Sequence, residues 1–104
     1  MADRRHLALL KKGVQVWNRW RSRHRESQPN LSGAILTAAF LSGVDLSEAN
    51  LYRTNLVKAT LTGAGLRQAN LGGADLSEAN LSRANLIRAV LCGATLTEAI
   101  LSGA

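Results

Sequence analysis

From residue 31 to residue 101 a leucine stands at every fifth position, and no other leucine interrupts the series. The set is Leu31, Leu36, Leu41, Leu46, Leu51, Leu56, Leu61, Leu66, Leu71, Leu76, Leu81, Leu86, Leu91, Leu96 and Leu101. An interval of five suits neither regular structure. On an α-helix five residues turn the side chain by about 140°, so the leucines would scatter around the cylinder. On a strand the faces alternate, so each leucine would fall opposite the last. Only a backbone that turns a corner once per repeat keeps all of them inside.

The other positions follow the same beat. Two residues before each leucine the chain has alanine, except at Pro29, Val44 and Thr54. The residue just before leucine is Asn or Asp at positions 30, 45, 50, 55, 70, 75, 80 and 85. Ile35, Phe40, Val90 and Ile100 depart from that polar rule. A five-residue unit is far shorter than helical or leucine-rich repeats. It calls for a continuous solenoid in which each pentapeptide forms one side of a coil, with leucine on the axis and alanine in the tighter site beside it. Periodicity alone leaves the number of sides open. Four sides would close a coil of twenty residues, with coils about 4.8 Å apart if backbone hydrogen bonds join them.

The pattern Ala-(Asp/Asn)-Leu-x-x resembles the pentapeptide-repeat family, over residues 29–104. The resemblance implies an all-β solenoid, a right-handed quadrilateral β-helix, here of about four coils. It implies that leucines 31 to 101 form the structural core. The stretch "LLKKGVQVWNRWR" also resembles the leader ahead of the repeats in many bacterial, notably cyanobacterial, members.

Charge divides the chain at the same boundary. Residues 1–28 carry all of the net +6, whereas residues 29–104 hold five basic and five acidic side chains. The leader has helical periodicity, with Leu7, Leu10, Val14 and Trp17 on one stripe and Leu9, Gly13, Val16 and Trp20 beside it. Lys11, Lys12, Gln15, Asn18 and Arg19 fall on the opposite half. One helix is expected, capped by Asp3 and fading near Arg23 ahead of Pro29. Two domains follow: a basic amphipathic helix at 1–28 and the β-helix at 29–104. The apolar stripe, with Leu7, Leu10, Val14, Trp17 and Trp20 as its cap residues, is expected to cover the first coil. Binding of the same helix to an anionic membrane, or of Arg19 to Arg25 to nucleic acid, is disfavoured, because one apolar face cannot serve the solenoid and a bilayer together.

Catalysis and metal binding find no pattern. Glu48, Glu78, Glu98, Asp45 and Asp75 all occupy outward repeat positions, and Lys58 and Glu78, one coil apart, are expected to form a surface ion pair of little energetic weight. The hydroxyls of Ser42, Thr62, Ser82 and Ser102 form a column with no histidine to activate them. His6 and His24 are expected to be solvated. Glycines at 33, 43, 63, 73, 93 and 103 recur at one corner position and serve turns. The lone Cys92 precludes an internal disulfide and fits a reducing, cytoplasmic compartment. Arg4-Arg5 has the form of a twin-arginine export signal, but "LALL" is too short an apolar run. No cofactor and no enzymatic activity are expected.

The functional expectation is a non-enzymatic protein-interaction scaffold whose partner the residues do not name. The family resemblance supplies an alternative, a DNA mimic that regulates or protects a type II topoisomerase. The uncharged balance of the repeats speaks against it, since mimicry of phosphates needs an acidic surface. A homodimer through the last coil is a further expectation, with Ile87, Val90, Ile100 and Leu101 as the candidate interface.

Overall fold

A computed structural model describes all of residues 1–104. Its β-structure consists of eleven parallel bridges, from Asn30–Asn50 to Asn80–Ile100, and every one joins residues twenty apart. Four pentapeptides therefore close one coil, and the coil is four-sided. On each side the bonding is the same. Leu31 N–H donates to Asn50 O at 2.8 Å, Gly33 N–H to Tyr52 O at 2.8 Å, and Asn50 N–H returns to Pro29 O at 2.8 Å. The four sides of the first coil are named here by their leucines: Leu31, Leu36, Leu41 and Leu46.

The corner comes from a four-residue turn in which the alanine N–H bonds back to the leucine carbonyl, as Ala34 does to Leu31 at 3.0 Å. Its third residue is left-handed at every repeat. Glycine fills six of these places, and Ala38, Glu48, Arg53, Lys58, Gln68, Glu78, Arg83, Arg88 and Glu98 fill the other nine with φ near 60°. Each non-glycine residue there carries a backbone cost of about 1–2 kcal/mol, which the hydrogen bonds between coils offset. The polar residue before leucine has a matching role. Its side-chain oxygen accepts the N–H two residues on, at 2.9–3.1 Å, in all eight repeats that have Asn or Asp. This Asx turn fixes the approach to the corner.

Leucines 31 to 81 are buried together with the alanines beside them, apart from the partly buried Ala39. Thr54, in an alanine site, is 1% exposed, and its hydroxyl donates to Leu51 O at 2.9 Å, so no polar atom is stranded. The last coil departs from the expected core. Leu86 and Leu96 are half-buried, and Leu91 and Leu101 are 36% and 43% exposed, because the stack covers them from one side only.

The leader is two helices, not the single one expected. α1 spans Arg4–Lys11 and α2 spans Val14–Arg23. Asp3 caps α1 by accepting Arg5 N–H, and α2 ends at Arg23 as the sequence suggests. The break is at Gly13, whose φ of 113° lies outside any helix. Leu10 and Trp17, on either side of it, both enter the core cluster of the solenoid.

The corner strain is measurable. Gly63 has φ 67°, and a Cβ built on it would meet nothing within 4 Å. Gly63→Val is therefore expected to lose about 1–2 kcal/mol in urea unfolding through backbone strain alone. Gln68→Gly should shift stability by less than about 1 kcal/mol, because relief of strain is countered by a freer unfolded chain. An unaltered midpoint for Gly63→Val would show that the corner stores no strain.

Candidate interaction surface

Each side of the solenoid presents columns of outward residues one coil apart. The column Ser42, Thr62, Ser82 and Ser102 is hydroxylic, and Ser82 Oγ donates to Asn80 Oδ1 at 2.6 Å. Lys58 and Glu78 form no ion pair, contrary to expectation: within 4.0 Å the carboxylate partners are Arg5–Asp3, His6–Asp3, Arg21–Glu48 and Arg25–Asp45. On the Leu31 side Tyr52 lies over Gly72, where an added Cβ would sit 3.2 Å from Tyr52 Cδ1. Arg53 stands 5.3 Å from the Tyr52 ring centroid. Cys92 is exposed. No three His, Cys, Asp or Glu side chains come together to hold a metal ion, and no helix is long and apolar enough to cross a membrane.

The helices meet the first coil through polar atoms that the charge pattern hides. Trp17 is fully buried and its Nε1–H donates to Asp45 O at 2.7 Å. Asn18, assigned to the outer half of the helix by periodicity, instead accepts Asp45 N–H at 2.8 Å and donates to Gly43 O at 3.0 Å. Arg21 is 0% exposed. Its guanidinium donates to the carbonyls of His24, Ser27 and Ser47 at 2.9–3.0 Å, tying the end of α2 and the following loop to the solenoid. Arg25 pairs with Asp45 at 2.8 Å. Two members of the arginine cluster are thus occupied within the fold. Their role was invisible because a buried arginine and a surface one read alike in sequence.

His6 is not simply solvated, whereas His24 is exposed as expected. His6 Nδ1 accepts Asn30 N–H at 2.9 Å, and Asp3 N–H donates to Asn30 O at 2.9 Å. Trp20 lies between His6 and His24, with ring centroids 5.2 and 5.3 Å away. Of the expected cap residues, Leu10 and Trp17 are buried, while Leu7, Val14 and Trp20 are partly buried against the core.

At the other end, Leu76 to Leu101 and Ala104 line an apolar hollow of about 250 Å³. Ile87, Val90, Ile100 and Leu101, the expected interface residues, are 43–56% exposed. Leu101 itself lines the hollow, and Ile87, Val90 and Ile100 each adjoin a lining leucine in sequence.

Arg21→Ala removes three charge-assisted bonds to carbonyls and is expected to cost about 3 kcal/mol or more. Exposed Arg19→Ala should cost less than about 0.5 kcal/mol. Equal melting temperatures for the two variants would refute the assigned role of Arg21. Asp45 adds a pH dependence. Burial pushes its carboxyl up, but the Ser47 hydroxyl and N–H and the Arg25 guanidinium outweigh it and leave the pKa below the usual aspartate value. A depressed folded-state pKa contributes stability above the unfolded value and loses it as pH falls through the folded one. Asp45→Asn should therefore make the stability profile less steep below about pH 4, with the parts due to Asp3 and Asp75, which are also lowered, retained. A steep, unaltered acid limb in that variant would refute the coupling.

A family model described as pentapeptide repeats matches residues 30–63 and 74–104 in eight copies. Among solved structures, a pentapeptide repeat protein from the thylakoid lumen of Arabidopsis thaliana is 38% identical, with a TM-score of 0.70 over 71% of this chain and 51% of that one. Rfr23 from the cyanobacterium Cyanothece is 35% identical, with a TM-score of 0.48 over 69% of this chain and 53% of that one. HetL from Nostoc, described as involved in heterocyst differentiation regulation, is 37% identical, with a TM-score of 0.36 over 72% of this chain and 46% of that one. The chain spans about half the length of each. No curated protein matches it significantly. The twenty-residue register, the left-handed corners, the family-model match and the Arabidopsis structure agree that the chain belongs to the pentapeptide-repeat family, whose members fold as right-handed quadrilateral β-helices.

Proposed function

We propose that the protein is a non-enzymatic interaction scaffold, a stiff four-sided rod whose outward columns meet a protein partner and whose N-terminal helices cap the first coil. The observation that carries this reading is the regular spacing of outward side chains one coil apart, held by bridges between residues twenty apart along residues 30–100. A surface of that kind is rigid before binding, so a partner loses little of the interaction energy to ordering it. The hydroxyl column without a histidine favours binding over catalysis. The repeats balance acid against base, which does not favour mimicry of a nucleic-acid backbone.

The last coil extends the reading to self-association. We propose that a second copy covers Ile87, Val90, Ile100 and Leu101 by apolar contact. Two such edges both present surplus N–H donors, namely those of each leucine and of the corner residue. Hydrogen bonding would therefore add less there than burial does.

One experiment tests both parts. A photo-crosslinking residue is placed singly at Arg67, Ser82 and Ile100. The expected outcome is a heterologous adduct in the source cells from Arg67 or Ser82, and a homodimer adduct of the purified chain from Ile100. No adduct from either side position sinks the scaffold reading, and a purified chain that never crosslinks to itself through Ile100 sinks the dimer.

A further inference from the structure

Every coil has an edge facing the N-terminal end. On each side that edge presents the N–H and C=O of the residue before leucine and the C=O of the residue after it. Within the stack the preceding coil satisfies them, as Leu31 and Gly33 do for Asn50 and Tyr52. The first coil has no preceding coil in residues 1–104, and the helices substitute for one unevenly.

On the Leu46 side the substitution is complete. Asn18 Oδ1 takes Asp45 N–H, Trp17 Nε1–H takes Asp45 O, and Arg21 Nη2–H takes Ser47 O. On the Leu31 side His6 and Asp3 take both groups of Asn30. On the Leu36 and Leu41 sides nothing takes their place. The N–H and C=O of Ile35 and of Phe40, and the carbonyls of Thr37 and Ser42, have no hydrogen-bond partner in the protein. At the same two places the polar rule fails: Ile35 is 74% and Phe40 85% exposed. A bare edge and two exposed apolar side chains coincide.

We propose that this edge accepts an apolar and acidic segment of a partner protein, which pairs beside Ile35, bends at the Ala38 corner as a repeat does, and pairs again beside Phe40. The proposal rests on the scaffold reading and narrows it to one place. Three observations select the occupant. The open edge offers four carbonyls against two N–H groups, so it asks for backbone donors, which an added strand supplies. Lys11 lines the hollows beside both Ile35 and Phe40, and Arg4 lines the first of them. Neither has a carboxylate within 4.0 Å, so acidic side chains on the incoming segment find unpaired cations. A second copy meeting this edge with its own would oppose surplus carbonyls to surplus carbonyls and lysine to lysine. A further coil of repeats is excluded, because Asp3, His6 and α2 already hold the edges of the Leu31 and Leu46 sides. A single segment that turns one corner fits what remains.

The probe is a blocked synthetic peptide alternating valine and glutamate, labelled for fluorescence anisotropy and titrated with the full 104-residue chain. Saturable binding is expected with Kd on the order of tens of micromolar. The double variant Ile35→Ser, Phe40→Ser should weaken it by about tenfold or more, and Lys11→Glu by several-fold. All three side chains are exposed, so these variants should keep the wild-type melting temperature, which verifies that the fold is intact. Amide exchange at Ile35 and Phe40 should slow when the peptide is bound. Four results would overturn the proposal: no saturation at about 1 mM, equal affinity for the double variant, equal affinity for a valine–lysine peptide, or self-association of the free chain relieved by Phe40→Ser, which would assign the edge to a second copy. If the peptide fails while Arg67 or Ser82 still crosslinks to a partner, the edge is wrong and the scaffold stands.

Discussion

The bond from each leucine N–H between Leu31 and Leu81 to the carbonyl nineteen residues further on, such as Leu61 to Asn80 at 2.7 Å, is the constraint on which everything else depends. It sets coil on coil in a register of twenty, and that register places leucine over leucine and alanine over alanine. It also makes the left-handed corners affordable at nine residues that would otherwise avoid them. No pentapeptide can satisfy this bond alone, because its partner always lies in the next coil. Stability in such a stack is carried by interfaces between neighbours, and the two ends are where it is weakest.

The ends are treated differently. At the N-terminal end, side chains imitate a missing coil: an asparagine amide, an indole and a guanidinium stand where backbone groups would be. The guanidinium of Arg21 is well suited to this, since its fork reaches three carbonyls at once. The ion pair with Glu48 at 3.8 Å adds little, because Glu48 is half-exposed to water. At the last coil the leucines of residues 86–101 are covered on one side only.

The leucine series made the inward positions legible, and the alanine series made the tighter inner site legible. It could not give the count of sides, because five-residue periodicity is compatible with any closed polygon. The polar residue before leucine was visible as a pattern, yet its bond to the N–H two residues on appears only once the backbone is placed. Glycine marked six of the left-handed corners. Glu48, Lys58 and Arg83 gave no hint of theirs, since charged residues have no intrinsic preference for that region. The break at Gly13 escaped notice because the apolar spacing of Leu10, Val14 and Trp17 suits one helix as well as two. Arg21, Asn18 and His6 share one reason for being hidden in the sequence: polar residues ordinarily face water, whereas the solenoid's open edge offers polar atoms as a binding surface.

Tyr52 lying over Gly72 has a consequence for how this sequence can change. An alanine at position 72 would bring its Cβ within 3.1 Å of Asn70 Oδ1 and 3.2 Å of the Tyr52 ring. The substitution therefore asks both Asn70 and Tyr52 to give way by a few tenths of an ångström, and a smaller residue at 52 would remove one of the two contacts. In such a coil the residues that constrain each other's evolution include, besides near neighbours in the chain, residues one full turn apart. Mutational histories should therefore run in columns, with each substitution opening or closing options twenty positions along.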